Sequence, residues 1–252
     1  MKLKIAVIIM MMVAAGVAIA QNPSDKFRRA NQEYQSEHYA RATELYEELI
    51  KDGYENADIY YNLGNAYFKQ KQLAPAIVNY ERALRLDPGN EDIRFNLRVA
   101  NLRTVDNIEK LPRLFIWEWL DAAGGIFASG GWAWIAIALL WIALVLAIIF
   151  FIKWQPLVKR AAFFGAMIAF VLAIASFAFA WKSYTTETAR DRAIVFTPSV
   201  YVKSSPGRKG TDLFILHEGT KVRTIDRVGK WVEIRLANGN VGWVPRESIE
   251  II

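Results

Sequence analysis

The sequence predicts a multidomain membrane protein built from an all-α repeat solenoid, two transmembrane helices and an all-β barrel, and three observations predict it. Residues 23–105 repeat their pattern of small and aromatic residues every 34 positions. Residues 132–152 and 161–181 each run for 21 positions without a charge, long enough to cross a hydrocarbon core of about 30 Å. From Ala193 onward the chain breaks into short β-rich runs separated by glycine-containing turns.

Composition supports this division and closes several functional classes. Of 252 residues, 54% are hydrophobic, a fraction that asks for a bilayer or an unusually large core. The chain has no cysteine, and His38 and His217 are its only histidines, so disulfide scaffolds, thiol catalysis and most metal sites are excluded, and neither a metal nor a cofactor is expected. The net charge of +6 is unevenly placed: the leader contributes +2, residues 21–131 contribute −3, residues 153–160 contribute +3 and residues 182–252 contribute +4. Basic residues at the leader and between apolar runs serve membrane insertion. No stripe of basic and aromatic residues remains to follow a phosphate backbone, and no nucleic-acid partner is expected.

Lys2 and Lys4, the apolar stretch Ile5–Ile19 and Ala18-Ile19-Ala20 make residues 1–20 a secretory signal peptide, with an uncleaved anchor helix as the alternative. Either way residues 21–131 are expected to be exported. Tryptophans 132, 134, 154 and 181 mark the ends of the two spans, 132–152 and 161–181. The loop 153–160 holds Lys153, Lys159 and Arg160 with no acidic residue, so it should be cytoplasmic, with Pro156 ending the first helix. Residues 182–252, including the β-rich part at 190–252, then lie outside with the repeats. Within the connecting segment 111–131, residues 112–123 are expected to form a short helix, lying on the outer leaflet or packing on the soluble part.

Residues 57–90 place Tyr60, Leu63, Gly64, Tyr67, Ala76, Tyr80, Ala83 and Pro88 at the spacing of a tetratricopeptide repeat, which they resemble strongly. Gly64, Ala76 and Ala83 are small because paired helices approach closely there. A weaker copy covers 23–56, with Ala30, Tyr39, Ala42 and Tyr46, and Asp92–Leu97 echoes Asp58–Leu63. That third copy supplies a capping helix over about 91–105, completing a solenoid within 21–110. In the C-terminal part, strands are expected at 194–196, 200–203, 213–216, 221–225, 231–236, 241–244 and 248–251. With VYVKSSP, HEGTKV and GKWVEIRLANGNVGWVP, including Gly242-Trp243, this part resembles a bacterial SH3 domain. The barrel should depend on Gly242 and on the Asn238-Gly239 hairpin, with one face of Trp231–Leu236 packed inward against Val241 and Val244. Period two fits either Trp231 or Val232 facing inward.

The order of these parts, together with NEDIRFNLRVANLRTVDNIE at 90–109 and TDLFILHEGTKV at 211–222, resembles the BatE type of the Bat aerotolerance family. The resemblance implies a non-enzymatic envelope protein linked to stress tolerance. Its implied partners are membrane-bound Bat proteins with von Willebrand A domains and a MoxR-type ATPase system.

No catalytic residue is expected: His217 and His38 read as turn histidines, Glu218 beside His217 would point to the opposite face of a strand, no serine or carboxylate is evidently placed to complete a triad, and no phosphate loop exists. The candidate protein-binding or peptide-binding site is a set on the inner helices. Asn31 and Asn62 are 31 residues apart, as are Asn65 and Asn96, an offset that faces each pair across neighbouring inner helices. A carboxamide donates and accepts toward one peptide unit, so such asparagines suit an extended ligand. Phe27, Tyr61 and Phe95, spaced by 34, should line the same concave wall, and Lys69 joins the set. Carboxylate-clamp members of the repeat family carry basic residues at the places of Phe27, Asp92 and Asn96, so a free C-terminus is not the expected ligand. These asparagines are expected to lie outside the helix–helix contacts. A second candidate surface for cell-wall peptide is Tyr201, Trp231 and Trp243 in the SH3-like part. The expected function is an inner-membrane-anchored periplasmic scaffold binding envelope proteins, with a cell-wall sensor as the alternative and an enzyme as the weakest reading.

Overall fold

A computed structural model of the chain describes residues 23–252 except 110, 113 and 208. The leader expected at 1–20 lies outside the described residues. The repeats form two helical hairpins, α1 (Pro23–Gln35) with α2 (Tyr39–Lys51) and α3 (Ala57–Lys69) with α4 (Leu73–Leu86), followed by a single α5 (Glu91–Asn101). Caps recur with the period: the side chain of Asn56 accepts from the Ile59 N–H, and that of Asn90 accepts from Asp92 and Ile93, satisfying donors that a helix start leaves unpaired. Tyr46 and Tyr80, also 34 apart, are the largest buried side chains of their hairpins. A Cβ on Gly64 would stand 2.7 Å from the Tyr80 ring, which is why the repeat keeps glycine there. α5 takes the place expected for the capping helix and buries Ile93, Leu97 and Ala100.

A short α6 (Phe115–Gly124) leads to two helices, α7 (Ser129–Ile152) and α8 (Pro156–Thr188), both long and apolar enough to cross a membrane. They pack on each other, and the residues they bury are small: Ala136 on α7 and Ala162, Ala169, Ala173, Ser176 and Ala180 on α8. Leu140, Trp141, Ile168, Phe170 and Val171 remain exposed, unlike the side chains of a core helix. Pro156 corrects its sequence assignment. Rather than ending the first helix it occupies the first turn of α8, where its missing N–H removes no hydrogen bond. Lys153–Gln155 alone separate the two helices. α6 leaves Phe115, Trp117 and Trp119 exposed and touches α8.

Each expected β run overlaps a strand: β1 (Arg192–Val195), β2 (Ser199–Lys203), β3 (Asp212–His217), β4 (Lys221–Val228), β5 (Trp231–Arg235), β6 (Val241–Pro245) and β7 (Ile249–Ile251). They form one antiparallel sheet in the order β3-β2-β6-β5-β4-β1-β7. The expected barrel is therefore not closed, because β3 and β7 are edges that do not pair with each other. The core contains Val195, Val202, Val222, Val232, Ile234 and Val244, which settles the face of β5: Val232 points in and Trp231 out. Val241 also faces outward, correcting its expected pairing with Val244, since residues three apart on a strand lie on opposite faces. The Asn238-Gly239 turn is present, with Gly239 at φ 90° and the Asn238 side chain accepting from the Asn240 N–H at 3.1 Å.

Gly242 faces the core where β6 meets β2. A Cβ there would overlap Val202 Cγ1 and stand 3.0 Å from the Lys203 carbonyl oxygen. Gly242→Ala should cost the sheet domain about 1–3 kcal/mol through overpacking, read as a lower denaturation midpoint. An unchanged midpoint would remove Gly242 from the fold's requirements.

Candidate functional site

The inner helices bring the expected asparagines together in two matching arrangements. Asn31 Oδ1 accepts from Tyr46 Oη at 2.6 Å and from Asn62 Nδ2 at 3.2 Å. One repeat later, Asn65 Oδ1 accepts from Tyr80 Oη at 2.8 Å and from Asn96 Nδ2 at 2.9 Å. Asn96 Nδ2 also reaches Tyr61 Oη at 3.0 Å. Tyrosines 46 and 80 are held neutral, their hydroxyls pushed well above the ordinary phenol range by burial, so each donates a hydrogen bond to the carboxamide oxygen.

This network corrects the expectation that the asparagines stand outside the helix–helix contacts: each pair bridges neighbouring inner helices and ties the outer tyrosine to them. It also leaves a regular remainder. The Nδ2 groups of Asn31 and Asn65, and the Oδ1 atoms of Asn62 and Asn96, have no partner among the described residues, and all four side chains are half-buried. Each pair thus presents one donor and one acceptor, the complement of a peptide unit's C=O and N–H.

The aromatic set divides. Phe27 and Tyr61 pack within their own hairpins, against Tyr46 at 6.0 Å and Tyr80 at 6.1 Å between ring centroids. They are less open than a concave ladder requires. Phe95 occupies the same repeat position on α5, which has no outer helix to cover it, and is 57% exposed. Lys69 is exposed at the end of α3.

On the sheet, Tyr201, Trp231 and Trp243 share the outward face. The register pairs Lys203 with Trp243 and Trp231 with Pro245, and Tyr201 lies two residues from Lys203. Tyr201 is 54% exposed, with Leu213 and Ile215 beside it on β3, whereas Trp231 and Trp243 are half-buried.

Sequence reasoning missed a third arrangement, at the junction of repeats and sheet. The Asp106 carboxylate accepts from the His217 backbone N–H at 2.7 Å, from His217 Nδ1 at 2.8 Å and from Thr220 Oγ1 at 2.6 Å. Burial pushes this carboxyl up, but the hydrogen bonds from Thr220 and His217 outweigh it and hold Asp106 below the ordinary carboxylate range. Because an ionised carboxylate only accepts, Nδ1 carries the imidazole proton. His217 closes β3, and the carboxylate on its ring is that of Asp106, which the sequence reading did not place there. Thr220 donates to that carboxylate and not to the imidazole, so no nucleophile–base relay forms. His38 bonds Glu33 at the surface, at 2.9 Å.

Other contacts extend the junction. Arg82 reaches Glu250 at 2.7 Å, Lys221 reaches Glu81 at 2.5 Å, and Ile194 and Ile252 join the core of Ala76, Ile77, Tyr80 and Leu97. Ile108 packs into the sheet core, and the Leu111 N–H donates to Ala237 O at 3.3 Å. Gly219, at φ 85°, leaves only 2.8 Å between an added Cβ and the Thr104 Cγ2 and 3.0 Å to the Ile77 Cδ1, so a side chain there would be strained in its backbone and would displace those two side chains at the junction.

Comparisons with known proteins agree with the two kinds of module. The tetratricopeptide repeat profile matches residues 57–90, and the bacterial SH3 domain profile matches residues 198–250. No curated protein sequence matches the chain. A crystal structure of a TPR repeats protein from Bacteroides fragilis NCTC 9343 aligns with 67% of this chain and 78% of its own, at 17% identity and a TM-score of 0.30. The matched modules are of a kind that binds proteins or peptidoglycan and is typically non-catalytic. No cluster of metal-ligating side chains occurs among the described residues.

Proposed function

We propose that this chain is a non-enzymatic envelope scaffold, anchored in the cytoplasmic membrane by α7 and α8, that holds an extended segment of a partner protein in the groove of its repeats. The observation carrying the reading is the alternation of unpaired donors on Asn31 and Asn65 with unpaired acceptors on Asn62 and Asn96, set in a network that fixes their orientation before a ligand arrives. The resemblance to BatE-type proteins suggests the partners, namely membrane-bound Bat proteins with von Willebrand A domains and the MoxR-type ATPase system of an aerotolerance complex. The test is co-purification: the Asn62→Ala, Asn96→Ala double variant should lose the partners that the wild type retains after cell-wall digestion. Equal recovery at equal folded content would exclude the groove.

Topology follows from the same reading. Repeats and sheet are joined by Asp106, Arg82 and Lys221, which supports a hairpin with both on one side, and the basic residues at the turn and the start of α8, Lys153, Lys159 and Arg160, favour the periplasm for that side. The leader proposed at residues 1–20 would direct the export. Because the native chain has no cysteine, single cysteines report cleanly. In intact spheroplasts an impermeant maleimide should label Asp52→Cys and Lys209→Cys and spare Lys159→Cys. Labelling at 159 would overturn the hairpin, and protection at 52 would overturn the export of the repeats.

A second reading is favoured by the exposed Tyr201 with Leu213 and Ile215 at the sheet's outer face: this face would read cell-wall peptide. Loss of cell-wall binding in Tyr201→Ala, with unchanged melting, would support it, and unchanged binding would remove it.

A further inference from the structure

Where repeats, membrane-length helices and sheet converge there is a cavity of about 340 Å³, at the lower end of volumes that hold small ligands. Its walls come from Leu84 and Arg85 of α4, from the end of α6, from Lys182 and Glu187 in the last turns of α8, and from Arg192 on β1. A charge inventory separates occupied groups from unoccupied ones. Lys182 pairs with Asp121. Glu187 caps α7, accepting from the Ser129 N–H at 2.7 Å and the Ser129 hydroxyl at 2.6 Å. Glu81 takes Lys221, and Arg94 donates to the carbonyls of Pro88 and Gly125. Arg85 and Arg192 therefore remain as wall cations with no carboxylate partner among the described residues, and Arg85 shares an adjoining cleft with Arg190.

The position gives that surplus its meaning. Lys182 follows Trp181 at the end of the apolar run of α8, and α6 leaves Trp117 and Trp119 exposed beside it; tryptophans settle at the boundary between hydrocarbon and headgroups. With α7 and α8 in a bilayer, the cavity would lie at headgroup level, with Arg85 and the exposed Arg192 in its wall and apolar helix surface below. Guanidinium matches phosphate in charge and in fork geometry. We infer that the cavity is a phosphodiester site for the headgroup of an anionic outer-leaflet phospholipid, held by Arg85 and Arg192 with the acyl chains along α7 and α8. The inference rests on the membrane placement proposed above.

The test uses the full chain in detergent and in vesicles. By native mass spectrometry the wild type should retain phosphatidylglycerol in preference to phosphatidylcholine, and Arg85→Gln, Arg192→Gln should weaken that retention by about tenfold or more. The charge-conserving Arg85→Lys, Arg192→Lys variant should keep the preference, and Arg98→Gln, an exposed arginine on α5, should be silent. Equal retention in the Gln variant, or no preference in the wild type, overturns the site. Displacement of the lipid by glycerol phosphate at matching concentration would assign the site to soluble phosphate esters and overturn the lipid claim. Flotation of the same samples with neutral phosphatidylcholine vesicles keeps the two readings apart. Failure to float overturns membrane anchoring, whereas flotation without anionic preference overturns the cavity alone.

Discussion

Asp106→Ala should lower the stability of the docked repeats and sheet by about 2–4 kcal/mol, because it strips the acceptor from three donors at once and leaves the buried Thr220 hydroxyl and the His217 N–H unpaired. The carboxylate is held below its ordinary range, so its sign is fixed: the stabilisation is fully present above the unfolded carboxyl value of about 4 and is lost as pH falls through the lower folded value. Asp106→Asn tests this separately, since a carboxamide keeps the shape and one acceptor oxygen but cannot titrate. Its melting temperature should lie below that of the wild type at neutral pH, and the gap should narrow on acidification below about pH 4. An Asp106→Ala protein that melts like the wild type at neutral pH would mean that the junction does not hold the two parts together.

The elements of this fold were largely legible because each has a local signature. Helix pairs follow from small residues at a 34-residue period, the two long helices from their uncharged runs, and the strands from β-branched runs between turns. Three features were not legible, for physical reasons. The face of β5 was ambiguous because Trp231 and Val232 are both apolar, and only the neighbouring strands decide which is buried. Pro156 is compatible with a helix stop and with a first turn alike, because its missing N–H is harmless in either place. Closure of the sheet depends on how two edges meet, which no strand encodes alone.

The candidate site was legible in part by the same logic. An offset of 31 between asparagines signals facing positions on adjacent inner helices, and the pairs Asn31–Asn62 and Asn65–Asn96 do meet. Their use of Tyr46 and Tyr80 as donors was invisible, because an offset of 15 within a hairpin has no distinctive pattern. Asp106 was missed because it lies 111 positions from His217. Asp106 falls in the stretch 90–109 and His217, Gly219 and Thr220 in the stretch 211–222, and nothing local in either stretch announces that they touch.

Replacing Asn62 and Asn96 together with alanine should weaken capture of an extended partner by roughly five- to a hundred-fold, since each lost hydrogen bond to a peptide unit is worth about 0.5–1.5 kcal/mol. The network adds a stability cost. The double variant also loses the Asn62–Asn31, Asn96–Asn65 and Asn96–Tyr61 bonds, so its repeats should melt several degrees lower. Binding must therefore be measured below that transition, with folded content read by circular dichroism. Tyr46→Phe and Tyr80→Phe supply the control: each removes a donor to Asn31 or Asn65 without touching the unpaired acceptors of Asn62 and Asn96. If stability alone governs capture, Tyr→Phe variants of matching melting temperature lose the partner as fully as the asparagine variant does. If the groove reads the peptide backbone, they retain it, because the ligand-facing carboxamides are still present and still paired across the inner helices.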